Sequence, residues 1–548
     1  MLDYRLFLVA LTASALYFQP RLVRAVAPTA ELAPGSRVNY SFSIRRDKAG
    51  NGLRLVQTVL IALLAWLAMG LLPLLLQSLH WPLIHDAPIM HYVAWRILHG
   101  EVPYRDIFDM NLPGVYLIHI IVLKVFGASD AGWRLFDLLW LVLTNCLLWA
   151  LCCSRGKGWA IASVLLYSAF HLSSGAPGMG QRDYFEFTFL AGGLVLAIRA
   201  LESGPDRRRL FLSGLALGYA VSIKPLAILL LAAVAILAAT RSGCTRSEQA
   251  KSVGATLAGG LVAPALFTVW LAAIGGLKPF LVTFAGVMPL YSKMHDRPFL
   301  QYLAEYWPIW LPCILAIPVT MLYGRPDSRR LLLVMGVAYG ALHYAAQGKG
   351  WLYQLYPLVG FGGALMAANL EMLSRTTRRR TIVAATALTV FFTLAIGCWD
   401  SRLQPANALT VDTLDTVASL ERDMRPQLAP GVTVQSFDTT AGCSHALMRM
   451  NAPMPTPYLC DYLFYGDPAE PYVRTIQDRF MADMRARPPT FLVVYRWGWP
   501  SGQYERLARF PALQQWIRDS YRLELTRQKY VIYKQKDAAP PDSVQISR

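Results

Sequence analysis

Long, charge-free apolar runs dominate the first three quarters of the chain. Clear ones lie at Leu55–Leu79, Leu138–Cys153, Gly158–Gln181, Ser252–Leu277, Tyr306–Gly324, Leu331–Gly348, Gly350–Leu370 and Thr381–Trp399. A bilayer core about 30 Å thick needs roughly 20 apolar residues per helix, so each run predicts a transmembrane helix. Tyr184–Ile198 is shorter. Leu210–Ile223 and Pro225–Thr240 read as two short spans split at Lys224–Pro225, because proline cannot continue the first helix. The total is about eleven spans by the same length rule. Pro113–Phe126 (PGVYLIHIIVLKVF) is apolar but short and carries His119 and Lys124, which predicts an interfacial helix on the membrane surface. Beyond Asp400 the pattern changes. Val432–Phe437 and Phe491–Tyr495 read as short buried strands, Gln477–Arg487 and Leu513–Tyr521 as helices, and Tyr530–Lys534 as an alternating strand.

Composition agrees with a membrane protein and excludes a water-soluble enzyme. Of 548 residues 55% are hydrophobic and 16% charged, against about 25% charged in ordinary globular chains, and the mean hydropathy is +0.36. The net charge of +18 would suit nucleic acid if it formed a patch. Instead the basic residues alternate between connections. Arg45, Arg46, Arg54, Arg155, Lys157, Arg207–Arg209, Arg246, Arg329 and Arg378–Arg380 fall on one side, whereas the opposing short loops hold only Arg182, Lys224, Lys278, Lys293, Arg297 and Lys349. The richer side is cytoplasmic by the positive-inside rule, and nucleic acid is rejected as a partner. An odd number of spans then places the N-terminus in the cytoplasm and the tail outside.

The expected organisation is an α-helical polytopic membrane protein with a small C-terminal α/β domain. Residues 1–54 are a cytoplasmic leader, its Leu6–Phe18 stretch too short to span. Residues 55–399 form the transmembrane domain, with a first outer loop over 80–131, and residues 400–548 form the outer α/β domain. The eight cysteines include no CxxC pair, which removes the commonest sign of zinc.

The outer connections carry the candidate chemistry. The first loop reads HDAPIMHYVAWRILHGEVPYRDIFDMNLPG. Asp86 suits a helix N-cap, since Ala87–Pro88 opens a helix that Gly100 closes, and equally a carboxylate placed to take a proton from a hydroxyl. His85 and His91, six apart, do not share a helical face, so no metal is expected. Arg182 and Asp183 follow the glycine-rich GAPGMGQ, either as an ion pair or as site residues. In QGKGWLYQLYP, Lys349 and Tyr353 read as an interfacial lysine with an aromatic belt, or as a cation and ring beside a lipid-linked phosphate. Lys224, in SIKP, is a similar cation at the tip of the split hairpin. These groups come from four segments on one face, whereas the spans are nearly free of charge. A proton-coupled transporter places its charges mid-span.

The order of these features is one span, a long loop opening with aspartate, a PG-aromatic helix ending in FG, Arg134 entering the second span, an Asp-bearing loop, SIKP and GKGWLYQLYP. In that order the chain resembles the GT-C superfamily of polyprenyl-phosphate-sugar glycosyltransferases over about 350 residues, Leu55 to Trp399. The nearest branch is similar to bacterial protein O-mannosyltransferase-like enzymes, lipid A aminoarabinose transferases and lipopolysaccharide-core uronosyltransferases. The resemblance implies Asp86 as the catalytic residue, Asp183 as a positioning group and Lys349 as a phosphate contact, without metal or other cofactor. Many relatives have Asp-Glu where this chain has Asp86–Ala87. Several have a lysine before the proline where it has Asn111–Leu112, and Arg105 is the candidate substitute.

The expectation is an inner-membrane enzyme that moves a sugar, with inversion, from a polyprenyl-phosphate-linked donor to a periplasmic glycolipid, glycan or protein, among membrane lipids. A lipid-linked-sugar flippase, a polymerase or another polytopic transporter is the alternative. Cys443 and Cys460, the only cysteines of the outer domain, are expected to form a disulfide in an oxidising compartment.

Overall fold

A computed structural model describes residues 43–536, apart from 156, 205, 242, 324–326, 376–379 and 400–402. The leader expected over residues 1–54, including Leu6–Phe18, lies largely outside the described residues. In chain order the helices are α1 (Ser43–Ser78), α2 (Ala87–Leu98), α3 (Pro113–Val125), α4 (Asp130–Cys152), α5 (Lys157–Ser173), α6 (Arg182–Ser203) and α7 (Arg207–Val221). They continue as α8 (Ile228–Ala239), α9 (Arg246–Ala273), α10 (Leu277–Lys293), α11 (Phe299–Tyr323), α12 (Ser328–Gln347), α13 (Tyr356–Arg375) and α14 (Arg380–Trp399). Every apolar run of the sequence falls on one of these helices. Among the described residues, five segments are long and apolar enough to cross a bilayer by themselves: Ile61–Ser78, Asp130–Cys152, Arg182–Ser203, Arg246–Ala273 and Phe299–Met321. The protein is a multi-pass membrane protein.

Local chemistry sets where the helices begin. Ser129 caps α4 by accepting from the Gly132 amide at 3.1 Å, and Asp206 caps α7 through the Arg209 amide at 3.0 Å. Thr245 and Glu248 form a reciprocal capping box at the start of α9. Helices α7 and α9 then pack backbone to backbone. A Cβ at Gly218 would sit 2.1 Å from the Gly260 carbonyl, and one at Gly214 would sit 2.0 Å from that of Thr256. This is the close approach that small residues four apart allow where lipid supplies no hydrophobic drive. One helix escapes the apolar pattern. α10 has Lys278 near its start, Lys293 at its end and Pro289 inside, so its composition reads as a connection.

The C-terminal region contains α15 (Leu403–Met424), β1 (Val434–Phe437), α16 (Cys443–Arg449), α17 (Pro471–Ala486), β2 (Phe491–Tyr495), α18 (Pro511–Ser520), β3 (Tyr521–Thr526) and β4 (Tyr530–Gln535). Its sheet has the order β1-β2-β4-β3. β1 and β2 pair in parallel, with Val434 opposite Phe491. Both strands are buried throughout, which is why they read as continuous apolar runs. β3 is the exposed edge strand YRLELT, and its polar face hid it from the sequence pattern.

The expected disulfide is not formed: Cys443 and Cys460 are both free thiols. Cys443 is buried at the start of α16, whereas the Cys460 sulfur lies 3.9 Å from the Thr439 carbonyl. Their surroundings hold the two thiols separately.

The C-terminal region is seated on the first loop. Arg96 of α2 donates to the Met454 carbonyl at 3.1 Å, and the Met454 amide donates to the Tyr92 hydroxyl at 2.8 Å. The Phe108 amide donates to the Pro457 carbonyl at 2.7 Å. A roof is thereby clamped over the ends of the membrane helices.

Candidate active site

Beneath that roof is a half-open cavity of about 410 Å³, bounded by the first loop, the start of α6, the end of α10, the segment after α12 and loops of the C-terminal region. Its wall includes Asp86, Arg182 and Tyr353, so three of the residues singled out in the sequence meet in one place.

Asp86 occupies the N-cap position of α2, yet its side chain makes no capping hydrogen bond. The capping account is therefore corrected: the carboxylate is turned elsewhere. Its Oδ1 lies 3.2 Å from His85 Nδ1, and the side chain remains 23% exposed toward the cavity. Burial pushes the Asp86 carboxyl up, but the neighbouring His85 and Arg182 outweigh it and hold the group below the usual carboxylate range. Burial likewise depresses His85, and the Asp86 charge more than compensates, so the imidazole is raised above its ordinary value of 6.5. His85 also has a positive φ of 66°, an uncommon conformation for a non-glycine residue. Gln181 Nε2 lies 3.3 Å from its Nδ1. The loop is held in an unfavourable shape that sets Asp86 and His85 side by side.

Arg182, at the start of α6, donates to the side-chain carbonyl of Asn111. Asn111 in turn donates to Asp109 at 2.9 Å, and Tyr116 donates to the same carboxylate at 2.6 Å. Asn111 thus serves to orient an arginine from another segment. Tyr353 lines the cavity, and its buried hydroxyl has no partner among the described residues.

Two further candidates lie one layer back. Asp183 is fully buried and accepts from Lys224 at 2.9 Å, from His343 at 2.6 Å and from Gln347 at 3.3 Å. Glu186, one turn along α6, accepts from the Tyr339 hydroxyl and lies 3.6 Å from His343. The spans are therefore not as free of charge as their composition suggests. A second buried set joins Arg134, Asp137 and His171, with 3.1 Å between the histidine and the carboxylate. Asp183, Glu186 and His343 bring donor atoms within 4.8 Å of one another and by type could ligate a metal. The Lys224 ammonium already lies against Asp183 as the local cation.

Lys349 and Arg105 are placed differently from the expectation. Lys349 is not among the cavity-lining residues. Its ammonium donates to the carbonyls of Tyr291 and Met294 at the C-terminal end of α10, where the helix dipole favours a cation. It also lies 4.3 Å from the Tyr291 ring, and burial lowers it to about 8. Arg105 is 53% exposed and paired in two hydrogen bonds with Asp106, at 2.9 and 2.7 Å. It is not among the residues that line the cavity. Arg182 lines the cavity instead. Residues missed from sequence are His85 as the neighbour of Asp86, Glu186 and His343 in the buried network, and Tyr291, Tyr462 and Trp499 in the wall. His85 and Glu186 were within reach by adjacency to Asp86 and by helical spacing from Asp183. The three aromatics come from distant segments and carried no local signal.

Comparison with solved structures defines the fold. The chain matches ArnT from Cupriavidus metallidurans bound to undecaprenyl phosphate with a TM-score of 0.56 and 13% identity, covering 86% of this chain and 97% of that one. The apo form of the same protein matches with a TM-score of 0.55 and 12% identity, over 87% and 98% of the two chains. The archaeal oligosaccharyltransferase AglB from Archaeoglobus fulgidus matches with a TM-score of 0.44 and 11% identity, over 80% and 69%. The fold is that of the GT-C membrane glycosyltransferases. Within it, residues 111–272 match the family described as dolichyl-phosphate-mannose-protein mannosyltransferase. No curated protein matches the chain by sequence.

Proposed function

We propose that this protein is a glycosyltransferase that moves a sugar from a polyprenyl-phosphate-linked donor to a hydroxyl of a glycolipid, glycan or protein, with inversion. The observation that carries the reading is Asp86: a carboxylate relieved of helix capping, kept ionised, and facing a cavity that also holds Arg182. The match to a family described by a lipid-phosphate-linked mannose donor, and the likeness in fold to a protein solved with undecaprenyl phosphate, support the donor class. We place the active site on the periplasmic side of the inner membrane, with the N-terminus cytoplasmic. Residues 55–399 are the catalytic domain and 400–548 the outer domain.

In the proposed mechanism Asp86 accepts the proton of the acceptor hydroxyl as its oxygen attacks the anomeric carbon. The bond from that carbon to the phosphate oxygen breaks with its electron pair, and the lipid phosphate departs as an anion. A phosphate leaving group needs charge neutralisation rather than a proton, and Arg182 supplies a guanidinium whose fork suits phosphate oxygens. Asp183 acts as a positioning residue. With Lys224 and His343 it anchors the first turn of α6, which carries Arg182. Lys349 steadies the end of α10, and Tyr353 offers a hydroxyl to the substrate.

The charged cluster around Asp183 favours one rival, a lipid-linked-sugar transporter, since transporters carry ionisable groups within their helices. Its members are paired with one another and buried, which suits an anchor better than a path.

The test is transfer by purified protein in nanodiscs. Polyprenyl-phosphate-linked radiolabelled hexose is supplied with an envelope glycolipid and glycoprotein fraction. Labelled product and free polyprenyl phosphate are expected from the wild type and lost in Asp86→Asn. If the wild type releases no polyprenyl phosphate but moves the lipid-linked sugar across a proteoliposome bilayer, the transporter reading replaces this one.

A further inference from the structure

Four aromatic rings from separate segments converge on one part of the cavity wall. They are Tyr291 at the end of α10, Trp351 after α12, and Tyr462 and Trp499 of the C-terminal region. The Trp499 ring centroid lies 5.4 Å from that of Tyr462, 5.8 Å from Tyr291 and 5.8 Å from Trp351. Tyr291 and Tyr462 are themselves 6.3 Å apart. A second aromatic group in the same region shows how a packing cluster differs. Phe437, Phe464, Phe480 and Phe510 also stack on one another, and all are closed off at 0–2% exposure. The four cavity rings are each only partly buried and keep surface open to the cavity.

Neutral polar groups lie among these rings, and Arg182 acts on Tyr291 and Tyr462 from one side. Trp499 Nε1 and the Tyr353 hydroxyl have no partner among the described residues, and Thr439 and Thr440 line the same wall. The Lys349 ammonium lies 4.3 Å from the Tyr291 ring and 5.9 Å from that of Trp499 but is held by two backbone carbonyls. A flat aromatic surface offers a phosphate no charge of its own. It suits a sugar ring, whose C–H face is apolar and whose rim is hydroxyl.

We infer that Tyr291, Trp351, Tyr462 and Trp499 form a stacking platform for a hexopyranose ring, with Trp499 at its centre. The C-terminal region thus supplies half of the carbohydrate site. The inference rests on the reading of the protein as a glycosyltransferase and deepens it by naming what the aromatic wall holds. The ring comes either from the acceptor glycan or from the sugar of the donor; the chemistry is the same for both.

The test uses the full-length protein in nanodiscs and free saccharides: glucose, N-acetylglucosamine and the β1,4-linked dimer of each. Saturation-transfer difference NMR is expected to show transfer from protein to the ring C–H protons of at least one of them. Truncating an aromatic anchor at the centre of a contact is typically severe, so Trp499→Ala should weaken the signal about tenfold or more. Trp499→Phe, which retains a flat ring, should recover much of it. Trp497→Ala, at a neighbouring indole that is 63% exposed and off the cavity wall, should bind as wild type does. If Trp499→Ala does not fold, Trp499→Phe against Trp499→Leu makes the same comparison of flat ring and bulky aliphatic. Equal signals in wild type and Trp499→Ala, no saccharide signal at all, or displacement by a serine-containing peptide but by no sugar would each overturn the platform. Under turnover, a rise in acceptor KM alone assigns the ring to the acceptor, and a rise in donor KM alone assigns it to the donor. Because saccharide binding needs no turnover, a protein that binds sugars but transfers none would refute the enzyme reading while leaving the platform intact.

Discussion

Asp86 and Asp183 are the two aspartates that the ordered motifs single out, and the structure treats them in opposite ways. Asp86 sits on a loop, makes no helix cap, touches one histidine and faces a cavity. Asp183 is in the first turn of α6, buried, and takes donors from Lys224, His343 and Gln347. A carboxylate with unused acceptor capacity beside open space is suited to moving a proton. One held through a single oxygen by three buried donors is suited to holding structure, and its loss strands a cation. The same residue type therefore has a chemical reading in one region and a positional one in the other.

The largest expected effect falls on the open carboxylate. Asp86→Asn keeps the shape of the side chain and breaks no capping bond. The variant should reach the membrane and unfold at the wild-type temperature, yet transfer sugar about 10²–10⁴-fold more slowly. Single-turnover transfer checks this, and near-normal rates would move the base elsewhere in the cavity.

Asp183 should fail in the other currency. Asp183→Leu leaves Lys224 buried and unpaired, which by analogy with broken buried pairs should destabilise the protein by about 3–5 kcal/mol. Adding Lys224→Met should restore much of that stability. Thermal unfolding in detergent reads both, and a stable Asp183→Leu variant with abolished transfer would collapse the contrast.

Arg182→Gln tests the cation beside the open carboxylate. Loss of about 10²-fold in transfer is expected, the scale for one removed electrostatic donor, with donor KM rising as well. Lys349→Met should instead cost up to about 2 kcal/mol of stability, the upper range for a buried cation at a helix C-terminus, and leave transfer largely intact. If it impaired donor binding as much as Arg182→Gln, the ammonium would have to leave its carbonyls and enter the cavity during the reaction.

The pH profile sharpens the comparison further. Asp86 is held below the usual range, so it is ionised throughout neutral pH, while His85 is raised above 6.5, so its cationic form persists to higher pH than in a free imidazole. The pairing is present below the raised histidine value and is lost as pH climbs through it. Its loss frees Asp86 to accept a proton. Transfer should therefore rise with pH above about 6.5 in the wild type, and His85→Asn should flatten that limb. A profile unchanged by His85→Asn would detach the histidine from the reaction.

How much of this was legible depends on the range over which each signal acts. The apolar runs are local: about twenty residues must satisfy a bilayer, so these runs showed themselves as helices, including the pair split at Lys224–Pro225. The two central strands of the tail were legible because burial on both faces makes them uniformly apolar. α10 and β3 were not, because each carries charges on a face that packs against little. Within the site, the sequence supplied Asp86, Arg182 and Tyr353 as candidates, and equally Arg105 and Lys349, with nothing to separate them.

That separation is a matter of distance across the fold. Whether a carboxylate caps a helix or faces a cavity depends on a rotation about two side-chain bonds, decided for Asp86 by His85 and the start of α6. Whether a cation is available depends on which acceptors the packing brings to it: Asp106 for Arg105, the carbonyls of Tyr291 and Met294 for Lys349, and Asn111 for Arg182. Cys443 and Cys460 illustrate the same limit, since compartment and spacing permit a bridge that the packing does not make. The sequence by itself determined the membrane class, the apolar helices and the residue types that chemistry at a membrane surface requires, because hydrophobic burial is read from contiguous composition. Only the tertiary structure decided which charges pair off and which face the cavity, because ion pairs and hydrogen bonds act over about 3 Å between groups that lie scores to hundreds of residues apart.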